Sequence, residues 1–335
     1  MTIKHESWLH FIKERRKNHT LNLDEEEIIN SINRLTVKNN ADNISRTVAY
    51  QDYFFRMKEI EWSFLAGMVS RNAGYNMTDL ENSRFKNGID KKQRNRLFIT
   101  YERSNWIIFS DAFPQLLLFE YSIKLKKPLF YLLKYFSVSI FMEIEWEKYW
   151  TDRKKERLVY ALIINEQNMI EHPVIQDAYF KSNVFDTISY KLQEQLRLTH
   201  VIFPTLTGEL YGMSIFNFQE LGNRIKIGKQ LYSILFLQSL NELFFEYALK
   251  VPHSGSRNDY EQIVGISNSN NPKLREVYPI IPHKRTKNDD WFMNNSVPSD
   301  WFKRELYTTE QNFKEVFLSK IDLLNSLLKV KSFFE

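Results

Sequence analysis

The sequence predicts a mainly α-helical protein, a single multi-helix domain over residues 1–335 with a long irregular loop region near the C-terminus. Three observations carry this. Only 9 Gly and 9 Pro punctuate 335 residues, so long regular elements are expected rather than many strands and turns. Hydrophobic residues make up 43% of the chain and aromatics 15%, and they recur at steps of three and four in run after run. The strand signal is confined to short pieces such as HVIFPTLT at 200–207.

Residues 1–40 read as peripheral N-terminal helices. Within them, LNLDEEEIINSINRLTV sets Asp24 ahead of three Glu, a capped helix start with acids at the positive end. From Ser45, the residues Tyr50, Tyr53, Phe54, Met57, Ile60, Phe64, Leu65 and Met68 mark one face of a helix. The polar stretch SRNAGYNMTDL, Ser70 to Leu80, reads as the corner that ends it. Gly74 would close that helix in the left-handed conformation, and Thr78 with Glu81 has capping-box spacing for the next one. Arg71, Asn72, Asn76 and Asp79 are left over. The plainer reading makes them turn-stabilising, and the alternative makes them binding residues.

Next, WIIFSDAFPQLLLFEYSIKL reads as a helix that Pro114 starts or kinks. Pro128 separates it from LFYLLKYFSVSIFMEIEWEKYW, and ERLVYALIINEQNMIEH reads as a buried helix ending before Pro173. The clearest helix is 223–250. Leu231, Tyr232, Leu235, Phe236, Leu240, Leu243, Phe244 and Tyr247 form its stripe, and Ile234, Leu237 and Phe245 widen it. A helix apolar on most sides belongs near the centre of a bundle. Residues 252–300 lose periodicity and read as a loop or lid. A final amphipathic helix follows, with Thr308 and Gln311 as its capping box and Phe313, Val316, Phe317, Leu324 and Leu328 turned inward.

Composition bounds the chemistry. With no Cys there is no disulfide, thiolate metal site or Cys nucleophile, which suits a reducing compartment. The N-terminal MTIKHESWLH lacks the apolar region of a secretion signal. The most apolar region, Phe113 to Met142, is broken by Glu120, Lys124, Lys126, Lys127 and Lys134, so no transmembrane helix is expected. The formal charge of +5 is modest, with clusters KERRK at 13–17 and KKQRNR at 91–96. Such clusters suit phosphate-rich partners or anionic lipid, and the plainer reading is a solvated surface.

The chain contains no GxxxxGKS, GxxxxGKT, GxGxxG, HExxH or GxSxG pattern. No two of its 7 His pair at helical spacing, so no metal site is predicted. Glu143, Glu145 and Glu147 are two apart and do not share a helix face, which argues against a carboxylate-bridged metal bundle. No cofactor is predicted.

Two polar constellations remain. Asn165-Glu166-Gln167 follows an apolar helical run, and a buried Glu166 needs a partner. Arg46 or Arg71 would supply it, as a structural ion pair or as part of a polar pocket. In PHSGSRNDYE, 252–261, His253 could act as a general base, Ser254 or Ser256 as nucleophile, Arg257 as anion clamp and Asp259 as orienter. Gly255 would let a ligand approach the backbone. Adjacent Ser and His do not make a triad, and such residues also build any tight loop. The expectation tested below is that 70–80, 165–167 and 252–261 face one another, with Arg71 and Arg257 set against Glu166 and Asp259.

The segments NISRTVAY, EWSFLAGMVSRNAGYNMTDL, ALIINEQNMIEHPVIQ and PHSGSRNDY together resemble an uncharacterised family from Bacillus-type bacteria, designated DUF2515. The resemblance runs from about Asn43 to Asp290. It implies a cytoplasmic bacterial protein and brings no assigned reaction, cofactor or catalytic residue.

Three functional readings follow. The first is a non-enzymatic helical protein that binds a partner protein through exposed Trp or Tyr. The second is a hydrolase or transferase acting on an anionic substrate, with Arg71, Glu166, His253 and Arg257 converging. The third is peripheral attachment to nucleic acid or anionic membrane through Lys13–Lys17 and Lys91–Arg96.

Overall fold

The computed structural model describes residues 2–4, 6–195, 199–236, 239–266, 271–284, 290–292, 296–307 and 313–334. The protein is mainly α-helical, and its strands form two antiparallel pairs.

Strand β1 (Thr2–Lys4) leads into α1 (Glu6–Asn18) and α2 (Leu23–Asn39). The cap of α2 is Asn22, not Asp24. Asn22 and Glu25 exchange side-chain and backbone hydrogen bonds at 3.0 and 3.1 Å, and Asp24 sits in the acidic first turn. The periodic run from Ser45 to Met68 is two helices rather than one. Helix α3 (Asn43–Arg56) turns at Met57–Ile60 into α4 (Glu61–Asp79), and the two pack side by side. Their shared apolar face survives the turn because both helices bury it in one core.

Helix α4 runs through the expected corner. Gly74 and Thr78 are interior helical residues, and the Thr78 hydroxyl donates to Gly255 O at 2.6 Å, with Tyr75 O and Gly74 O at 3.0 and 3.3 Å, instead of capping a new helix. The next helix, α5 (Ser83–Gly88), is capped by Asn82, which accepts from Phe85 N at 3.1 Å. Helix α6 (Lys91–Leu125) is capped by Asp90 and continues through Pro114. After a 3-10 turn come α7 (Ile140–Asp152) and α8 (Lys155–Ile170). Pro173 lies in a wide helical turn at Glu171–Ile175 that extends α8, so the proline does not mark a clean stop.

The chain continues through α9 (Ala178–Phe180) and α10 (Ile188–Gln195) into the hairpin β2 (Thr199–Pro204) and β3 (Leu210–Ile215). The expected helix 223–250 is also two, α11 (Leu221–Phe236) and α12 (Asn241–Lys250); Leu237 lies outside the described residues. Folding back at Ser239–Leu240 lets one long apolar sequence bury several faces. Phe236 of α11 and Phe245 of α12 meet with ring centroids 5.9 Å apart, beside Phe54 and Phe64. Each buried aromatic ring there contributes about 1.5–3 kcal/mol.

The irregular stretch 252–300 holds α13 (Asn258–Glu261), α14 (Leu274–Val277) and β4 (Ser296–Pro298), and β4 pairs with β1. It is tied down along α3 and α4: Arg275 binds Asp42 at 2.6 Å. Helix α15 (Phe313–Phe334) places Phe313 and Phe317 in the core. Thr308, Gln311 and the side chains of Leu324 and Leu328 lie outside the described residues. No described helix is long and apolar enough to cross a membrane.

Candidate functional site

Helix α4 separates two polar environments. On one face, Arg71, Gly74, Thr78 and Asp79 meet the segment 251–260. The Arg257 guanidinium donates to Asp79 Oδ1 and Oδ2 at 2.9 and 2.7 Å, to Asn76 Oδ1 at 3.1 Å and to the Tyr260 hydroxyl at 2.6 Å. Arg71 donates to Val251 O at 2.7 Å and lies 5.3 Å from the Tyr247 ring. The corner and the loop therefore do face one another.

That contact is built as a latch. Asn43 donates its amide to Ser70 O at 2.8 Å and to Ser70 Oγ at 3.1 Å, which turns Oδ1 toward His253. His253 Nε2, 2.9 Å from that oxygen, must then be the protonated nitrogen. Nδ1 is left to accept from Gly255 N at 3.4 Å, and it also lies 3.4 Å from Asp259 Oδ2. Burial pulls the His253 pKa down to about 4, against the pull of Asp259. Ser254 Oγ donates to Asp259, and Ser256 Oγ donates to Asn271 O at 3.1 Å. Neither serine is hydrogen-bonded to the imidazole. The general-base and nucleophile roles expected for His253, Ser254 and Ser256 have no geometry here. Gly74 sets the closeness of the latch: a Cβ on it would lie 2.4 Å from Asn43 Oδ1 and 2.8 Å from His253 Nε2.

On the other face of α4 lies a cavity of about 230 Å³. Leu65, Ala66, Val69, Asn72, Ala73 and Asn76 of α4 form one wall. Tyr50 and Arg46 come from α3, Tyr101 and Ile108 from α6, and Ile227 and Leu231 from α11. Glu166 of α8 lines it too, while Arg71, His253, Arg257 and Asp259 do not. Asn76 and Ser70 touch both environments. The four residues expected to converge are thus divided, with Glu166 on one side of α4 and the other three on the opposite side.

Neither arginine expected to pair with Glu166 does so. Arg46 donates to Glu102 Oε2 at 2.5 Å and to Asn40 Oδ1 at 3.1 Å, and Arg71 is held by the Val251 carbonyl. Among the described residues Glu166 makes no ion pair, and it accepts from Gln167 Nε2 at 3.0 Å. Its carboxyl opens on the cavity but is otherwise walled in by protein. Burial therefore pushes its pKa up to about 8, against the lowering effect of the Gln167 donor and the nearby Trp62 indole. At neutral pH the acid is largely uncharged. Asn165, its neighbour, faces the other way and bonds Asp111 Oδ2 at 2.6 Å. Asn72 is spent on the β-hairpin, accepting from Ile202 N and donating to Ile202 O at 2.7 Å each.

Sequence reasoning missed Tyr50, Trp62 and Glu194. Tyr50 sits on the predicted core face and is 3% exposed, yet its hydroxyl has no partner; the Trp62 indole N–H, 1% exposed, also has none. A tyrosine on an apolar stripe gives no sign of an unsatisfied hydroxyl until its neighbours are in place. Glu194 borders both the cavity and a surface depression with Lys191, Gln195, Phe216 and Asn217.

Both basic clusters are partly consumed by structure. Arg15 and Arg16 bind Glu143 at 2.8 and 2.6 Å, and Arg94 lies 3.3 Å from Glu81 and 2.7 Å from Ile89 O.

Comparison with known proteins gives two findings. A family model described as protein of unknown function DUF2515 matches residues 38–323. A protein of Bacillus subtilis (strain 168), described as uncharacterized protein YppC, is 45% identical over 311 residues, 92% of this chain and 97% of that protein. No solved structure matches.

Proposed function

The chain belongs to the DUF2515 family of proteins of unknown function, and from that premise we propose that it binds a mainly apolar small molecule in the cavity behind α4. One observation carries this reading: about 230 Å³ of space, mostly apolar, enclosed by helices and fitted with an uncharged carboxyl. Protein interiors hold few voids larger than a water molecule. A cavity this size, left by truncation, would cost on the order of 5 kcal/mol, comparable to the net stability of a domain. An engineered void of ~150 Å³ takes up benzene, so this one suits a molecule of roughly ten heavy atoms.

The protein-partner reading is less well supported. It calls for exposed aromatic anchors; Trp62 and Trp146 are buried, which leaves Tyr135 and Tyr179 as the exposed aromatics among the described side chains. Attachment to nucleic acid or anionic membrane is weakened because Arg15, Arg16 and Arg94 are already paired. A cytoplasmic location fits the absence of Cys.

The test is occupancy. Phenylbutanol, an uncharged molecule of suitable size, should raise the unfolding temperature of the protein. Ala73→Leu, which adds bulk to the cavity wall, should abolish that rise while keeping the helical circular dichroism. No shift with the native chain, or an equal shift in the variant, would refute the reading.

A further inference from the structure

We propose that the molecule bound in the cavity carries a basic nitrogen, whose ammonium pairs with Glu166 after entry past Glu194. This rests on the small-molecule reading above and adds the ligand's charge.

The first support is the charge balance of the walls. Two cations border the cavity, and both are already neutralised. Arg46 is paired with Glu102 at 2.5 Å. Arg224 is paired with Glu171, and its remaining donors are spent on Gln167 Oε1, Phe218 O and Gln219 O at 3.0–3.1 Å. Neither Glu102 nor Glu171 borders the cavity. The two acids that do, Glu166 and Glu194, have no cationic partner among the described residues. Glu194 accepts only from the Tyr190 hydroxyl at 3.2 Å and Phe218 N at 3.0 Å. The surplus is therefore acidic. The Arg46 Nε has no hydrogen-bond partner but is fully buried, so it offers the cavity no charge.

The second support is the set of groups around Glu166. Gln167 already donates to it. The Trp62 indole is close enough to favour the ionised form of Glu166, and Glu166 is close enough to raise the Tyr50 pKa; the Trp62 N–H and the Tyr50 O–H have no hydrogen-bond partner within normal geometry. Donors suit an ionised carboxylate better than a protonated acid. What the group lacks is a cation. The walls supply Tyr50, Tyr101, Tyr190, Phe185 and Phe218, rings whose faces attract an ammonium.

The proton balance is simple. An alkylammonium keeps its own proton to about pH 10.4, so pairing it with protonated Glu166 expels one proton to the buffer. Glu166 titrates at about 8. Affinity should therefore rise about tenfold per pH unit below that value and level off above it. The other ionisable groups bordering this space are Arg46, Tyr50, Tyr101, Tyr190, Glu194 and Arg224.

Calorimetric titration of the full chain with phenylbutylamine, phenylbutanol and phenylbutyrate separates the possibilities. The amine should bind at least about tenfold tighter than the alcohol at about pH 8. Glu166→Gln, close in shape, should abolish that preference while still binding the alcohol. Buffers of different ionisation enthalpy should reveal one released proton at about pH 6. Glu194→Gln, which leaves the inner site intact, should slow amine association more than alcohol association. If amine and alcohol bind equally, the charge inference fails and the cavity reading stands. If phenylbutyrate binds tightest, the inference fails in favour of an anion at Arg46. If none of the three binds, the cavity reading fails and takes this inference with it.

Discussion

Arg257 grips both carboxylate oxygens of Asp79, at 2.9 and 2.7 Å, across 178 residues of sequence. The pair fastens the irregular C-terminal segment to the end of α4. Removing one partner of a buried pair strands the other charge. Arg257→Ala should therefore destabilise the protein by about 3–5 kcal/mol, read as a lowered urea midpoint. A loss below about 1 kcal/mol would mean that solvent screens the pair.

Gly74 offers a test by sign. Gly→Ala inside an exposed helix stabilises by about 1 kcal/mol. Here the added methyl would meet Asn43 Oδ1 at 2.4 Å and the His253 ring at 2.8 Å, and overpacking of this kind costs about 1–3 kcal/mol. Gly74→Ala should destabilise and should perturb the His253 imidazole resonances. A stabilised variant would show that the latch is looser than the contacts require.

Glu166 should leave a mark on stability against pH. An unfolded Glu ionises near 4.3, whereas the folded group holds its proton to about 8. Between those values the folded state binds more protons, so stability falls as pH rises, by about 1.4 kcal/mol per unit. Glu166→Gln has no such cost. Its unfolding free energy should gain on the native protein from about pH 5 to about pH 8 and then run parallel. A difference independent of pH would show that the carboxyl titrates normally.

His253 works in the opposite sense. Its folded pKa is pulled down to about 4 by burial, below the unfolded value of about 6.5. Stability is present above about 6.5 and lost as pH falls toward 4. His200, pulled down to about 3 by burial beside the Ser214 hydroxyl, acts the same way. Chemical denaturation of His253→Gln at several pH values should show less acid sensitivity than the native chain. Equal sensitivity would assign the acid limb elsewhere.

Leu235 tests the place of α11. It is 0% exposed in the main core, so Leu235→Ala should cost about 2–5 kcal/mol in equilibrium unfolding. A cost below about 1 kcal/mol would place the helix at the periphery.

The sequence by itself determined what depends on near neighbours. Helix formation repeats every 3.6 residues, so the apolar stripes of α3, α4, α8 and α11 were legible, as was the short strand around Ile202. Where those helices stop was less legible, because an apolar stripe passes through a turn when both arms bury it, as at Met57–Ile60 and Ser239–Leu240. Tertiary structure decided which polar residues pair. Glu166 had two candidate cations by composition, but Arg46 binds Glu102, 56 residues along the chain, and Arg71 binds a carbonyl 180 residues away. Gly74 looked like a helix terminus because glycine serves both left-handed caps and close contacts, and only the position of His253 distinguishes them. The cavity had no sequence signal at all. It is a volume that side chains from six helices and the β2–β3 hairpin fail to fill, and no single residue encodes an absence shared among distant neighbours.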